Sequence, residues 1–159
     1  MKKGFKTLLL PIIGVSVLAA SAGVWAQQAP KPETLIKWRQ SAFQVVAWNS
    51  GRIKASLDGK YDKDEVVKAA TVIAAVANSG LGGLFPAGSE TGKGWHDTAA
   101  KPELFKDAKR LGELAGAFSK ESTELEKVAL NGDAAAVKEQ YGKLTRTCKG
   151  CHDEFKNKD

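Results

Sequence analysis

Apolar residues recur every three or four positions in four segments of the chain, and none of these segments alternates as a β-strand would. The last segment is the clearest, and we predict a helix there from about Ala134 to Lys156, with Asp133 as its N-cap. One face of this helix would carry Val137, Tyr141, Leu144, Cys148, Cys151 and Phe155. Spacings of four and three residues bring these side chains to the same side of an α-helix.

The three earlier segments have the same helical period, and we place them at about residues 32–57, 64–78 and 104–129. Pro102 suits the first turn of the third helix, and Asp62 with Glu65 forms a capping-box pair at the second. Two polar residues, Arg39 and Asn49, fall on the apolar face of the first segment. Because a charge on such a face needs a buried or interfacial partner, we expect one for Arg39.

The connections between the segments indicate how the helices are arranged. Short turns at Asp58-Gly59 and Asn131-Gly132 favour antiparallel neighbours, whereas the glycine-rich stretch from Gly80 to Lys101 is one longer crossing. The sequence therefore predicts an all-α fold, an antiparallel up-down-up-down four-helix bundle.

Residues 1–26 are predicted to be a secretory signal peptide that is removed. Three lysines among the first six residues precede an apolar run from Leu8 to Ala20, which is too short for a membrane span. We place cleavage after Ala26, and a site after Ala22 competes with it. The remaining chain, residues 27–159, is long enough for one domain, and we expect it in the periplasm.

Charge gives little indication of a macromolecular partner. The net charge of the whole chain is +6, and the loss of three lysines with the signal peptide reduces it to +3. This bias is too weak to predict binding to nucleic acid, and we expect no membrane attachment after cleavage.

The stretch TCKGCHDEFK near the end of the chain contains both cysteines and one of the two histidines. Cys148, Cys151 and His152 form C-x-x-C-H, the attachment signature of c-type haem. Positions i, i+3 and i+4 share a helical face, so two thiols can add to the vinyl groups of one porphyrin while the imidazole reaches its iron. A disulfide, a redox dithiol and a zinc site completed by His96 are the alternatives. The sequence favours one covalently bound haem c.

The side of the iron opposite His152 decides what the haem does. Met1 is the only methionine and would leave with the signal peptide, which excludes the His/Met pair common in electron-carrying cytochromes. His96 could give a bis-histidine site, but a lone histidine in a glycine-rich loop is more often at the surface. We therefore expect five-coordinate, high-spin iron.

Sequence similarity extends well beyond the haem signature. The motifs that carry it are RQSAF at residues 39–43, LFPAGSE at 84–90, TAAKPELF at 98–105 and CKGCHDEFK at 148–156. With these motifs the mature chain resembles cytochrome c′, the class II c-type cytochrome, over essentially its whole length. The resemblance implies a four-helix bundle with its haem motif close to the C-terminus.

The resemblance also implies a set of haem contacts. It implies thioether bonds at Cys148 and Cys151, with His152 as an exposed proximal ligand. The other implied contacts are Arg39 and Gln40 at the propionates, Phe43 as the distal gate, Phe85 as a second pocket aromatic, Thr98 at the haem edge and Lys156 on the proximal side. From the residues alone, Arg39 can instead be a snorkelling interface arginine, Phe43 a core aromatic and Lys156 a solvated cation at a helix end.

An apolar distal pocket predicts binding of small neutral gases, nitric oxide and carbon monoxide, because it offers no donor to stabilise dioxygen. The resemblance implies the same function, periplasmic nitric oxide binding or buffering, with one-electron transfer as a further capacity. The alternative is a six-coordinate electron-transfer cytochrome with an unidentified periplasmic redox partner. We expect no enzymatic activity, because no distal histidine–arginine pair is evident near Phe43. The resemblance implies a homodimer through the first two helices, where Trp38 and Trp48 are candidate interface residues or else core aromatics.

Overall fold

The computed structural model describes residues 29–157, so the predicted signal peptide lies outside the described residues. Within that range the chain forms four α-helices: α1 (Pro32–Asp58), α2 (Lys63–Ala77), α3 (Ala108–Asn131) and α4 (Ala134–Phe155). Two short 3₁₀ helices, Leu81–Leu84 and Pro102–Lys106, lie between α2 and α3. The prediction of an all-α four-helix bundle is confirmed. No helix in this described part of the chain is long and apolar enough to cross a membrane.

Aspartate side chains cap the start of three helices. Asp62 accepts a hydrogen bond from the backbone N–H of Glu65, and Asp133 accepts one from Ala136, as the sequence predicts for α2 and α4. The return half of the predicted capping box at α2 is replaced by another contact. The Glu65 carboxylate instead accepts a hydrogen bond from Arg52 Nε of α1 at 2.6 Å, which ties the two helices together.

The third helix begins later than the sequence predicts. Pro102 opens the second 3₁₀ helix, and α3 starts only at Ala108. The chain is interrupted at Asp107, whose backbone (φ −119°, ψ 75°) is not helical and whose side chain caps α3 by accepting a hydrogen bond from Arg110 N. A cap residue ends one helical stretch and starts the next, so the apolar period runs on through a break in the backbone.

The core lies between the four helices and is built largely from aliphatic side chains. Its buried members are Val46, Ile53, Val66, Ala69, Ala70, Ile73, Leu125, Ala129, Val137 and Leu144. Alanine at three- and four-residue spacing on α2 lets the neighbouring helices approach closely, while each fully buried Ile or Leu contributes about 1.5–3 kcal/mol. Between α1 and α4, the Tyr141 hydroxyl lies 2.8 Å from Ser50 Oγ.

Residues 78–107, which we call the crossing segment, connect α2 to α3. The tip of this segment is a small hairpin in which Lys93 and Asp97 are bridged, and Thr98 N donates to Gly92 O at 3.0 Å. The residues that directly follow the hairpin are attached to the end of α4 by two backbone hydrogen bonds. Lys101 N donates to Phe155 O, and Asn157 N donates to Ala99 O, each at 2.8 Å.

Candidate haem site

The predicted haem-binding triad lies in the last two turns of α4. Cys148 and Cys151 are half-buried and both thiols are free, so the disulfide alternative is not the state of this structure. His152 lies next to Cys151 and is largely exposed, as the resemblance implies. The helix is continuous through all three residues, so positions 148, 151 and 152 share one face.

Burial shifts the pKa values of all three side chains of the triad towards their neutral forms. Burial raises the pKa of the Cys148 thiol, and burial together with the nearby Glu154 raises the pKa of Cys151, so both remain neutral thiols. Desolvation, and then the charge of Lys156, lowers the pKa of His152 and favours the neutral imidazole that coordinates iron. Of the three side chains only the neutral imidazole of His152 would ligate iron, whereas Cys148 and Cys151 would form thioether bonds to the vinyl groups of the haem.

Several contacts fix the end of α4 where the triad lies. Arg110 of α3 meets the Glu154 carboxylate through Nε, at 3.2 and 3.1 Å, and through Nη2 at 2.8 Å. Lys101 Nζ donates to the carbonyl of Glu154 at 2.9 Å. Lys156 forms a β-bridge with Ala100, so the predicted proximal cation is attached to the crossing segment through its backbone. The helix end therefore has partners on both α3 and the crossing segment.

Arg39 of α1 is buried, with 3% of its surface exposed, and its guanidinium binds the crossing segment. Nη1 donates to Ser89 Oγ at 2.9 Å and to Leu84 O at 3.3 Å. Nη2 donates to Ser89 O at 2.7 Å and to Thr98 Oγ1 at 2.8 Å. The expectation of a buried partner for Arg39 agrees with this geometry, although the partners are hydroxyl and carbonyl oxygens. The propionate contact that the resemblance implies for Arg39 stays a prediction.

The guanidinium group of Arg39 lies against two aromatic rings. The guanidinium carbon lies 5.0 Å from the ring centroid of Phe85 and 5.3 Å from that of Phe105, within the range of a cation–π contact. Burial lowers the pKa of Arg39, and the carboxylate of Glu90 partly offsets that effect. An arginine remains protonated despite such a shift, so a cation is buried at this point.

Phe43 and Phe85 are in contact with each other, and the distal role that the resemblance implies for both rings stays a prediction. Their ring centroids are 6.4 Å apart with an interplanar angle of 59°, and Phe85 lies a further 5.9 Å from Phe105. Phe43 is 39% exposed, which distinguishes it from a core aromatic. The three rings form a row that joins α1 to the crossing segment.

Gln40 binds the tip of the crossing segment. Its Oε1 accepts a hydrogen bond from Trp95 N at 2.8 Å, and its Nε2 donates to His96 O at 2.9 Å. The His96 ring is exposed, with Nδ1 2.9 Å from the carbonyl of Asp97. The predicted propionate contact of Gln40 stays a prediction.

Sequence reasoning missed three residues of this region, Ser89, Phe105 and Trp95. Ser89 is fully buried, and Phe105 stacks on Arg39. Trp95 is 62% exposed, yet its Nε1 donates to Ser41 Oγ at 2.8 Å. These residues follow no helical period, and only Arg39 on an apolar face indicated that unidentified partners exist. Among residues 29–157, no three His, Cys, Asp or Glu side chains are grouped as metal ligands.

Comparison with known proteins gives a consistent result. The sequence profile of the family described as Cytochrome C′ matches residues 34–156. A cytochrome c′ from Rhodocyclus tenuis is 62% identical over 130 residues, which cover 81% of this chain and 98% of the relative.

Two solved structures resemble the fold. One is a cytochrome c′ described as having an unusual ligand-controlled dimer dissociation, with TM-score 0.79 and 39% identity over 82% of this chain and 100% of that chain. The other is a variant of cytochrome c prime from Alcaligenes xylosoxidans solved as its nitric oxide complex, with TM-score 0.73 and 27% identity. The latter match covers 83% of this chain and 100% of that chain.

Proposed function

Because the chain belongs to the cytochrome c′ family, we propose that it is a periplasmic haem protein that binds nitric oxide and carbon monoxide at five-coordinate, high-spin iron. Haem c is the cofactor of this family, and Cys148 with Cys151 supplies the two attachment thiols of the C-x-x-C-H site. The observation that carries the proposal is the pairing of this triad on α4 with a single methionine, Met1, which the predicted cleavage removes. The usual sixth ligand of an electron-carrying cytochrome is then missing.

Three residues of α4 would hold the haem, in two different ways. The haem supplies an iron that binds diatomic gases. His152 would hold the iron on the proximal side through its neutral imidazole, whose pKa is lowered by desolvation. Cys148 and Cys151 would prevent the haem from dissociating.

On the distal side, Phe43 and Phe85 would form an apolar wall that excludes water and anions. Neither ring has a hydrogen-bond donor for dioxygen, so small neutral gases would be preferred. Support comes from the Alcaligenes xylosoxidans relative, which was solved as a nitric oxide complex.

We do not propose an enzymatic reaction. Peroxidase chemistry needs a distal acid–base group, and the terminal nitrogens of Arg39 already donate to Leu84, Ser89 and Thr98. Reversible gas binding, with one-electron transfer as a further capacity, needs no such group.

The proposal includes a homodimer through α1 and α2. Trp38, Val45 and Trp48 of α1 are 50%, 41% and 65% exposed, and their spacing of seven and three residues puts them on one side of the helix. Arg52 lies 4.7 Å from the Trp48 ring and donates to Glu65 of α2, so this surface continues to the second helix. Exposed aromatic residues of this kind are enriched at protein interfaces.

The experiment is an optical and electron paramagnetic resonance study of the haem-loaded mature protein, ferric and ferrous, with and without nitric oxide and carbon monoxide. We expect high-spin five-coordinate iron that binds both gases. Low-spin six-coordinate spectra in both oxidation states would contradict the proposal and make electron transfer to a redox partner the working function.

A further inference from the structure

The side-chain amide of Gln40 forms hydrogen bonds with the backbone of the tip of the crossing segment, both as an acceptor and as a donor. Its carbonyl accepts from Trp95 N–H and its amide donates to the carbonyl of the next residue, His96. Both bonds are short, at 2.8 and 2.9 Å, and residue 40 is 55 positions away from Trp95 in the sequence. A primary amide has one acceptor and two N–H donors, so its carbonyl is engaged here by a backbone group of the tip.

The backbone of the tip lies directly against α1 at this point. A Cβ atom on Gly94 would come within 2.3 Å of Gln40 Oε1 and within 2.9 Å of both Ile36 Cγ2 and the backbone nitrogen of Lys37. Contacts this short do not occur for real Cβ atoms, so only glycine fits at this position. The close approach of Gly94 to Ile36 and Lys37 therefore adds to the two hydrogen bonds of Gln40 as evidence that the tip packs against α1.

Arg39 makes the corresponding attachment to the rest of the crossing segment. The two terminal nitrogens of a guanidinium carry four hydrogens, and the four hydrogen bonds to Leu84, Ser89 and Thr98 use all of them. Only Nε–H and the positive charge then remain for a haem propionate. The Arg39 guanidinium carbon also lies 5.0 Å from the Phe85 ring and 5.3 Å from the Phe105 ring, so Phe85 is in contact with both α1 and its own segment.

We propose that Arg39 and Gln40 are positioning residues that fasten the crossing segment to α1 and thereby hold Phe85 beside Phe43. In this arrangement the Gln40 amide binds the tip of the segment, and the terminal N–H groups of Arg39 bind residues 84, 89 and 98 of the segment. The Nε–H group of Arg39 would then be the donor that remains for a haem propionate. The effect on gas binding rests on the proposed function, whereas the attachment itself does not.

The first test compares Gln40→Met with Gln44→Met in the holoprotein. Gln44 is exposed on α1 one turn further along, so the same substitution there is a matched control. Hydrogen exchange followed by mass spectrometry would be read on peptides that cover residues 92–98. Gln40→Met loses both hydrogen bonds to the tip, and we expect exchange at least about tenfold faster in this peptide. Unchanged exchange would overturn the proposal for Gln40.

The second test uses Arg39→Lys, which keeps the charge but has no planar fork. We expect faster exchange over residues 84–98 and a carbon monoxide association rate at least about tenfold higher, because Phe85 loses its support. Ser89→Ala removes one acceptor without changing Arg39 and should give a smaller change of the same kind. Wild-type exchange and wild-type gas rates in Arg39→Lys would mean that Arg39 acts through its charge alone, which contradicts the proposal.

The proposed gas binding and the attachment of the crossing segment can be tested separately. If the wild-type protein proves six-coordinate and binds no gas, the proposed function fails, while the exchange results still decide whether the crossing segment is fastened by these residues. If Arg39→Lys does not fold, Gln40→Met and Ser89→Ala provide the same measurement from folded proteins. Exchange that matches the wild type in both of those variants would overturn the attachment.

Discussion

The ring of Phe43 on α1 lies 6.4 Å from the ring of Phe85 in the crossing segment, the two planes tilted by 59°. One residue belongs to a helix and the other to a segment with little regular structure, so their contact depends on how the two are joined. The joining contacts are polar, and they come from Arg39, one turn before Phe43.

Replacement of Phe43 by alanine should speed the entry of gas. The change removes one ring of the proposed distal wall, and we expect the carbon monoxide association rate to rise at least tenfold, equivalent to about 1.4 kcal/mol of barrier. Stopped-flow absorbance on the ferrous protein measures this rate. Leu130→Ala, at a half-exposed residue of α3, should leave the rate unchanged. An unchanged rate in Phe43→Ala would remove Phe43 from the gate.

Each cysteine should contribute one covalent bond to the haem. In Cys148→Ala or Cys151→Ala, the remaining thiol still attaches the group, so the intact mass of denatured protein should include one haem. In the double variant the haem should separate from the chain on denaturation. Retention of haem mass by the double variant would show that these thiols are not the attachment points.

The exposed face of α1 should control the oligomeric state. Trp38→Glu places a charge at a residue of the same face that is 50% exposed in the single chain, and burial of an unpaired carboxylate is costly. We expect the dimer dissociation constant to rise by about 100-fold or more, measured by analytical ultracentrifugation over a range of concentrations. Leu130→Glu on α3 is the control, and an equal effect there would argue against an interface on α1.

The contact between Arg52 and Glu65 should make part of the stability depend on pH. The hydrogen bond from Arg52 lowers the pKa of Glu65 below its usual value, so the carboxylate stabilises the folded state above the unfolded-state pKa. This contribution is lost as pH falls through the folded-state value. Denaturant midpoints of wild type and Arg52→Met should therefore differ more at pH 7 than near pH 3.

The same midpoints have an internal control. Glu65→Gln removes the titrating group while Arg52 keeps its bond to Asn49 Oδ1 at 2.8 Å. The acid-dependent part of the difference should disappear in that background. A difference between wild type and Arg52→Met that does not change with pH would mean that Arg52 acts through Asn49 and Trp48 alone.

Helical segments and the haem triad were predictable because both are local. The period of three and four residues and the caps at Asp62 and Asp133 determine α2 and α4 closely, and C-x-x-C-H is contained in one turn. The start of α3 could not be predicted in the same way, because Asp107 interrupts the helix without interrupting the apolar period. A short 3₁₀ helix and an α-helix can share one apolar pattern when the break falls between them.

The partners of Arg39 and Gln40 were beyond sequence reasoning for a different reason. Ser89 and Thr98 are 50 and 59 residues from Arg39, and Trp95 is 55 residues from Gln40. A polar residue on an apolar helical face indicates that a partner exists, but no period in the crossing segment identifies it. Pairing over such distances is decided by the packed structure.

The burial of Arg39 also selects the axial alignment of the bundle. Four of the six buried residues of α2 are alanines, which present a nearly smooth surface on which a neighbouring helix could slide. A slip of α1 by one turn is a shift of about 5.4 Å, and it would carry the guanidinium away from all four of its acceptors. A buried cation without partners costs about 3–5 kcal/mol, a large share of the stability of a small domain. One charged side chain thus makes an axial slip of α1 costly, and the Arg52–Glu65 and Ser50–Tyr141 contacts disfavour the same slip.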